Sequence, residues 1–473
     1  MASETISSNA ATGVIEGLIQ KARDAMAAFE DADQGQVDAA VTALAWSIYE
    51  PGRARRLAEF AVEDTGLGNV ESKVVKNQRK TFGCLRDLMR VKSVGIIEEV
   101  PERGLVKYAK PVGVVAAVTP STNPAATPVN KSMFSLKGRN AVIVAPSPAG
   151  QRTTTETVGY MRAELEKVGA PLDLVQVLPA PVDKALTQEL MERADLVVVT
   201  GSQNNVRRAY SSGRPAIGVG TGNVPVIIDS SADLADAAQK IMLSKCFDNA
   251  TSCSSENSVT IIEDVYDDAV RALREAGGYL CSPEEKEMVR QALWIDGKLS
   301  RHLIAKGADV IARQVGLPPE AEKSRFFMVE EPCAVGRGHP FSNEKLSLVL
   351  TVYRAPDFAA AKAHAQAILD FVGAGHSVGI HTRDLAHARC LAEEMRVVRV
   401  LVNQAHTMGN GGGFDNGLNF TLSMGCGTWG GNSISDNLNY MHFLNITHLV
   451  TLIDEDKPSE EEMFGAYWSK YGR

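Results

Sequence analysis

The chain has 473 residues, too many for one compact hydrophobic core, so we expect two large domains. Its 44% hydrophobic and 22% charged residues are ordinary for a water-soluble globular protein. The net charge of −8 and the lack of a Lys/Arg-rich block argue against nucleic acid as a partner.

Cysteine usage and hydropathy indicate the cellular setting. The seven cysteines are odd in number and lack Cys-x-x-Cys spacing, which argues against a zinc site and a disulfide framework. The N-terminal residues lack the basic start and apolar core of a signal peptide. The longest apolar run, near 112–118, is far shorter than the ~20 residues of a membrane helix. We therefore expect a cytoplasmic protein that binds neither metal nor membrane.

The first half of the chain changes pattern near residue 104. Before it, apolar residues recur at intervals of three and four, which predicts helices; residues 104–111 alternate as in a strand. Five strand-like runs follow, separated mainly by helical patterns at 153–168 and 185–193. These runs are 112–119, 140–145, 172–178, 195–200 and 224–229. Such alternation is typical of βα units that build a parallel sheet.

A second series of strands and helices follows Cys253. Strands are predicted near 258–263, 346–353, 377–382 and 398–403, with helices at 266–276, 357–370 and 385–395. Glycine-rich segments at 409–413 and 425–431 predict an irregular active-site wall. The tail contains a predicted strand at 445–450 and an acidic, solvated stretch at 454–462.

Cys253 is the first candidate for chemistry. It lies among small polar residues, in the segment TSCSSENSV at 251–259, where a thiolate can be exposed to a substrate. Ligands of parallel sheets bind beyond the carboxyl ends of the strands. The segments there, 119–124, 145–148 and 200–202, are small, polar or turn-forming and let a ligand approach the backbone.

Several segments together resemble the aldehyde dehydrogenase superfamily, in particular the branch that transfers the acyl group to coenzyme A. They are TPSTNP at 119–124, NKS at 130–132, YSSGRPAIGVGTGN at 210–223, Cys253 with SENS at 255–258, NEKLS at 343–347, GHS at 375–377 and GCGTWGGNSIS at 425–435. The resemblance extends from about residue 14 to about residue 450. It implies an α/β fold of two parallel-sheet domains with a small β flap for oligomerisation.

The resemblance also implies domain boundaries. Residues 1–243 are expected to form the dinucleotide-binding domain, with a flap strand near 104–111. Residues 244–428 form the catalytic domain, and 429–473 return to the cofactor domain and the oligomerisation segment.

By this resemblance, Cys253 attacks an aldehyde carbonyl and forms a hemithioacetal, then a thioester. The side-chain amide of Asn123 and the backbone N–H of Cys253 would form the oxyanion hole, although Asn123 could also be a turn residue before Pro124. His376 is the candidate for handling protons, with a structural role as the alternative. Glu256 is a secondary candidate for positioning the loop.

One departure from the superfamily predicts the acyl acceptor. Aldehyde dehydrogenases that hydrolyse the thioester carry a glutamate base at the position of Val219 or a neighbour. Between Ala216 and Ile228 this chain has no carboxylate. A strong nucleophile is then needed to release the acyl group, and the thiol of coenzyme A fits that role.

The cofactor is expected to be NADP or NAD. The loop at 145–152 lacks the glutamate that would repel a 2′-phosphate, and Arg152 could pair with one, so NADP is favoured. Glu344 would bind the nicotinamide ribose. The resemblance assigns the remaining cofactor contacts to Thr119, Pro120, Ser121, Ser147, Gly201, Ser202, Gly220 and Gly222.

The aldehyde is expected to be short and anionic. Ser252, Ser254, His406 and Thr407 make the predicted substrate pocket polar, and the chain is similar to acylating sulfoacetaldehyde dehydrogenases. Acetaldehyde, propanal, butanal and succinate semialdehyde stay open as substrates. Alternative functions are a reductase of acyl phosphates, a thiol acyltransferase without redox chemistry and a non-catalytic relative. The flap strands predict a homodimer or homotetramer.

Overall fold

The computed structural model describes residues 8–473. Residues 1–7, which include the segment considered for a signal peptide and the start of the predicted first domain, lie outside the described residues. Within 8–473, no helix combines the length and the apolar character needed to cross a membrane.

The helices are α1 (Ser8–Ala28), α2 (Gln34–Tyr49), α3 (Pro51–Thr65), α4 (Val70–Met89), α5 (Ala126–Lys137), α6 (Gln151–Lys167), α7 (Lys184–Arg193), α8 (Gln203–Tyr210), α9 (Leu234–Cys246), α10 (Tyr266–Glu275), α11 (Pro283–Leu293), α12 (Ala308–Val315), α13 (Phe358–Phe371), α14 (Leu385–Glu394), α15 (His406–Gly409) and α16 (Glu460–Tyr471).

The strands are β1 (Gly95–Val100), β2 (Leu105–Pro111), β3 (Val114–Val118), β4 (Ala141–Ala145), β5 (Val175–Val177), β6 (Leu196–Thr200), β7 (Ala216–Val219), β8 (Val224–Ile228), β9 (Glu256–Ile262), β10 (Gly278–Leu280), β11 (Trp294–Ile295), β12 (Lys298–Leu299), β13 (Phe326–Glu330), β14 (Val349–Ala355), β15 (Val378–His381), β16 (Val400–Val402) and β17 (Leu444–Val450).

Two parallel sheets form the body of the molecule. The first has the order β5-β4-β3-β6-β7 and the second the order β10-β13-β14-β9-β8-β15-β16. Every residue of β3, β4, β8 and β9 is buried, as expected for strands covered by helices on both faces. The predicted fold of two parallel-sheet α/β units is therefore confirmed.

The β flap is a separate antiparallel sheet with the order β1-β2-β17. Strand β17 pairs with β2 in continuous register from Leu444↔Pro111 to Val450↔Leu105, so the predicted strands at 104–111 and 445–450 lie side by side. Strand β1 was not predicted. Its residues are half-buried or exposed, so no apolar run indicates it.

The second sheet begins earlier than predicted. Strand β8 pairs with β9 and β15, whereas the predicted boundary at 243/244 placed it in the first domain. The backbone hydrogen bonds of β8 to β9 and β15 place it in the second sheet, because the amide groups of a buried strand must form hydrogen bonds with neighbouring strands. The connection between the sheets is therefore Gly220–Asn223. The return to the first unit also precedes residue 429, because Phe420 packs in the first hydrophobic core.

Candidate active site

A cavity of about 500 Å³ lies between the two sheets. Loops that follow β3, β4, β6 and β7 form one side, and the segments around Cys253 and Glu344 form the other. Eleven of the predicted site residues line it: Thr119, Pro120, Ser121, Asn123, Ser147, Gly201, Ser202, Gly220, Ser252, Cys253 and Glu344. The structure thus brings the predicted nucleophile, oxyanion donor and ribose-binding carboxylate to one space.

Cys253 is half-buried on the loop that leads into β9. Burial of the sulfur is the main cause that raises the thiol pKa, to about 12, and the nearby Glu344 and Cys426 raise it further. The guanidinium of Arg399 and the backbone N–H of Cys253 act in the opposite direction. These surroundings favour the protonated thiol at neutral pH, and ionisation depends on charges brought near it.

Asn123 follows β3, in the loop before α5. Its Oδ1 accepts a hydrogen bond of 2.8 Å from Nζ of Lys76 on α4. Because an ammonium group can only donate, this contact assigns the carbonyl oxygen of the amide to the lysine side. The two N–H groups of Asn123 are then left for a substrate oxygen.

Lys76 is held by a buried ionic cluster. Oδ2 of Asp248 lies 2.6 Å from Nζ of Lys76 and 3.1 Å from Nζ of Lys73, and Lys73 also donates to the Thr122 carbonyl. Asp248 has a left-handed φ of +51°. It closely approaches Gly68, where a Cβ would lie 1.9 Å from its carboxylate oxygen. The cluster connects α4, the Asn123 loop and the segment before Cys253.

Glu344 and Gly222 lie next to the nucleophile. The backbone N–H of Gly222 donates to the Glu344 carboxylate, while burial raises the Glu344 pKa to about 8. A Cβ at Gly222 would lie 2.2 Å from the carbonyl oxygen of Cys253. Gly222 therefore permits close approach of the intersheet connection to the Cys253 loop, although it is not on the cavity wall.

A smaller second chamber lies on the other side of Asn123 and Ser252. Ser252, Ser254 and Thr407 of the predicted substrate pocket line it, together with Lys76, Arg79 and Lys80 of α4. Its apolar part consists of Phe247, Met408, Leu422 and Met424. Asn123, Ser252, Leu422 and Met424 line both chambers, so the two spaces meet beside the predicted nucleophile.

His376 and His406 line neither chamber. Both are buried, and the Ser377 hydroxyl bridges them, 2.7 Å from Nδ1 of His376 and 2.9 Å from Nε2 of His406. Burial holds the His376 pKa well below its usual value and lowers that of His406 to about 3. The structure thus separates these two histidines from the other predicted site residues. Glu256 is buried as well and accepts from the His406 backbone N–H, so it positions that loop.

Arg152 also lies away from the cavity. Its guanidinium pairs with Glu63 and Asp64, each at 2.7 Å, and lies over the ring of Phe60. The predicted 2′-phosphate partner is therefore already paired with carboxylates. Lys184 and Arg208 line the cavity instead.

Sequence reasoning missed the cations of α4 and Arg399. Lysines are rarely buried, so Lys73 and Lys76 looked like surface residues, and nothing local distinguished Arg399. The available signal was the spacing of Lys73, Lys76 and Lys80, three and four residues apart, which places them on one helix face.

The residues that line a nicotinamide cofactor in the predicted scheme fit such a group. The N-terminus of α8 lies on the cavity wall, because Gly201, the N-cap residue Ser202 and Asn205 line the cavity, and the N-terminus of a helix favours a phosphate. No atom lies within 4 Å of the position that a Cβ would take at Gly201. Glu344 supplies a carboxylate for ribose hydroxyls.

Comparison with known proteins shows the family to which the chain belongs. Residues 5–281 match the aldehyde dehydrogenase family. The chain is 51% identical over 464 residues to the acylating sulfoacetaldehyde dehydrogenase of Cupriavidus necator, covering 98% of this chain and 94% of that one. It is 45% identical over 461 residues to the corresponding enzyme of Bilophila wadsworthia, covering 96% and 98%.

The fold is also similar to that of a solved structure. The acetylating aldehyde dehydrogenase of Geobacillus thermoglucosidasius superposes with a TM-score of 0.91 at 35% identity, covering 96% of this chain and 99% of that one. The predicted enzyme class, an acylating aldehyde dehydrogenase, is thereby confirmed, and with it the pairing of NAD(P)+ and coenzyme A. The chain belongs to the aldehyde dehydrogenase family and, within it, to the branch that forms acyl-coenzyme A.

Proposed function

We propose that this protein oxidises sulfoacetaldehyde to sulfoacetyl-coenzyme A with NADP+ as hydride acceptor. The observation that carries the proposal is the meeting of Cys253, Asn123 and Glu344 at one cavity, in a chain similar over nearly its whole length to acylating sulfoacetaldehyde dehydrogenases.

Cys253 and Asn123 form the acyl-enzyme. The Cys253 thiolate adds to the aldehyde carbon, and the carbonyl oxygen becomes an alkoxide that accepts hydrogen bonds from the Asn123 amide and the Cys253 backbone N–H. When bound, NADP+ accepts the hydride that leaves this carbon. Loss of the hydride, which carries two electrons, oxidises the hemithioacetal to a thioester on Cys253.

Coenzyme A completes the turnover. Its thiolate adds to the thioester carbon and expels the Cys253 thiolate, so one C–S bond forms as another breaks. The net reaction converts aldehyde, coenzyme A and NADP+ to acyl-coenzyme A, NADPH and a proton. Val219, where hydrolysing relatives would carry a glutamate, is a buried apolar residue at the end of β7. It cannot activate water as a competing acceptor.

The preference for NADP+ rests on charge near the adenosine end of the cavity. Lys184 and Arg208 line the cavity, and we assign them to a 2′-phosphate there. Asp183 lines it too, but its carboxylate caps α7 by accepting from Leu186 N–H at 2.8 Å. We assign Thr119, Pro120, Ser121, Gly201, Ser202 and Gly220 to the rest of the cofactor and Ser147 to the adenosine region.

A cofactor-reduction assay tests the proposal. Sulfoacetaldehyde is offered with and without coenzyme A, with NADP+ and NAD+ in parallel, beside acetaldehyde, propanal, butanal and succinate semialdehyde. We expect sustained absorbance at the NADPH band only with coenzyme A, the highest kcat/KM for sulfoacetaldehyde, and no turnover by Cys253→Ser. Steady formation of free acid without a thiol would contradict the coenzyme A step. A far higher kcat/KM for propanal or butanal would contradict the substrate.

We further propose a homo-oligomer in the cytoplasm. All seven cysteines of the chain are free thiols, as expected in a reducing compartment. Both outer strands of the flap, β1 and β17, have an edge that pairs with no strand among residues 8–473, and such edges are commonly covered by a partner.

A further inference from the structure

Helix α4 presents more positive charge to the second chamber than nearby carboxylates neutralise. Lys76, Arg79 and Lys80 all line this chamber. Asp248 pairs with Lys76 and Lys73, so one buried carboxylate already serves two ammonium groups. Arg79 and Lys80 form no ion pair with any carboxylate between residues 8 and 473.

Arg79 has a donor without an acceptor. Its Nη1 is buried and makes no hydrogen bond within the described part of the chain. The guanidinium lies 5.3 Å from the ring centre of Phe414 and 5.6 Å from that of Phe420, which fixes its plane without neutralising its charge. Burial lowers the Arg79 pKa, and Asp415 opposes this only from a distance.

Lys80 is in a similar situation. Its Nζ donates to the carbonyl oxygens of Gly411 at 2.8 Å and Gly412 at 3.4 Å, both neutral acceptors. Burial and the neighbouring charges of Arg79 and Lys76 lower its pKa to about 7, with Cys84 acting in the opposite direction. Arg79 and Lys80 are both half-buried. Removing a cation partly from water without a counter-charge is costly, and an anion that binds beside it lowers this cost.

A neutral donor completes the group. The hydroxyl oxygen of Thr407 is buried without a hydrogen-bond partner among residues 8–473, and Thr407 lines the same chamber. A sulfonate carries three acceptor oxygens and one negative charge, so it can accept from a guanidinium, an ammonium and a hydroxyl together.

We propose that Arg79, Lys80 and Thr407 form the binding site for the sulfonate of the substrate. An aldehyde with its carbon at Cys253 and its oxygen at Asn123 sits where the two chambers meet. Its substituent then extends into the second chamber, away from the cofactor residues around Gly201. The apolar side chains of Met408 and Leu422 cover the methylene group between the carbonyl and the sulfonate. This inference rests on the proposed function and assigns its selectivity to α4.

Substrate discrimination by Arg79→Gln tests the site. We expect the ratio of kcat/KM for sulfoacetaldehyde to kcat/KM for acetaldehyde to fall roughly 10- to 100-fold, as when one partner of a charged hydrogen bond is removed. Lys80→Gln should lower the same ratio and serves as the second variant if Arg79→Gln does not fold. The matched control is Arg90→Gln, an exposed arginine at the end of α4, which should leave the ratio at the wild-type value. An unchanged ratio in folded Arg79→Gln and Lys80→Gln would overturn the proposal.

A binding measurement separates this inference from the substrate assignment. Ethanesulfonate, which cannot react, should protect Cys253 of the wild-type enzyme from alkylation by iodoacetamide, and Arg79→Gln should need at least tenfold more of it. If the wild-type enzyme prefers propanal but ethanesulfonate still protects through Arg79, the substrate is wrong and the anion site stands. If sulfoacetaldehyde is preferred and the Arg79 and Lys80 variants protect and discriminate like the wild type, the anion site is wrong and the substrate stands.

Discussion

The ionisation of Cys253 is coupled to that of Glu344, which lines the same side of the cavity. Both residues are half-buried, and the negative charge of ionised Glu344 adds to the burial that raises the thiol pKa. Glu344 itself has a pKa raised to about 8 by burial, so it is mostly neutral at pH 7 and becomes charged in more alkaline solution. The effect of Glu344 on the thiol therefore grows above about pH 8.

We expect Glu344→Gln to shift the pH dependence of Cys253 alkylation to lower pH. The amide removes a charge that disfavours the thiolate, so at pH 8–10 the variant should react faster with iodoacetamide than the wild type. The rate is followed by the mass of the peptide that carries Cys253, which does not require an active variant. Glu320→Gln, at an exposed carboxylate, is the control and should follow the wild-type curve. Coincident curves for all three proteins would refute the coupling.

The residues that could be predicted at this scale are those whose local sequence is unusual for their type. Cys253 among serines and Asn123 at a strand end are both placed on the cavity wall. Lys76 and Arg79 could not be predicted, because the ion pair of Lys76 with Asp248 and the chamber that Arg79 shares with Thr407 involve residues far away in sequence. The predicted contact of Arg152 with a 2′-phosphate fails for the same reason, since the carboxylates that pair with Arg152, Glu63 and Asp64, lie on another helix.

Two successive turns of helix α4 contact the loop that carries Asn123. Lys76 orients the Asn123 amide, whereas Lys73, one turn earlier, binds the same Asp248 carboxylate but donates to the Thr122 carbonyl. The helix is anchored at its start by Asn69, whose side chain accepts from Ser72 N–H. Lys73 and Lys76 share the Asp248 carboxylate and lie on one face of α4, but only Lys76 contacts the Asn123 amide. Comparing variants of the two lysines therefore distinguishes the orientation of this amide from the stability of the ionic cluster.

We expect Lys76→Met to lower kcat about tenfold, because the amide of Asn123 loses the contact that fixes its orientation. Asn123→Ala should lower kcat by about 10²–10³. The double variant should match Asn123→Ala alone, because Lys76 acts through that amide. All three are measured with saturating coenzyme A and cofactor.

Lys73→Met is the control for this cycle. It should lower the melting temperature to an extent similar to Lys76→Met, since each removes one ammonium group from Asp248, but it should change kcat much less. Fully additive effects of Lys76→Met and Asn123→Ala, or equal losses of kcat for the two lysine variants, would show that α4 only stabilises the fold.

At the scale of elements, long buried strands could be predicted and short ones could not. The strand-like segments that form β3, β4, β6 and β9 are five to seven residues long and fully or almost fully buried. Strand β10 has three residues and gives no periodicity to detect. Strand β8 was found, but its sheet was not, because membership depends on hydrogen bonds to β9 and β15 that come later in the chain.

At the scale of the whole molecule, exposed apolar side chains are concentrated in the C-terminal part of the chain. Leu452 is fully exposed, and Val450, Met463, Phe464, Tyr467 and Tyr471 are each more than half exposed. Val450 is the last residue of β17 and Leu452 follows it, whereas the other four belong to α16. Exposed apolar residues concentrated in this way mark an interface, and the position of Val450 and Leu452 at the end of an outer flap strand favours a second copy of the chain as the partner.

We therefore expect the double variant Leu452→Glu/Phe464→Glu to form a smaller assembly than the wild type in size-exclusion chromatography with light scattering. The introduced carboxylates would have to be buried in the interface without partners, which disfavours association. The control is Met288→Glu/Ile295→Glu, which adds the same charge at exposed apolar residues of α11 and β11 and should keep the wild-type mass. The cavity around Cys253 lies within one chain, so a dissociated variant that is still folded should retain cofactor binding. If both double variants keep the wild-type mass, the C-terminal surface does not hold the assembly together.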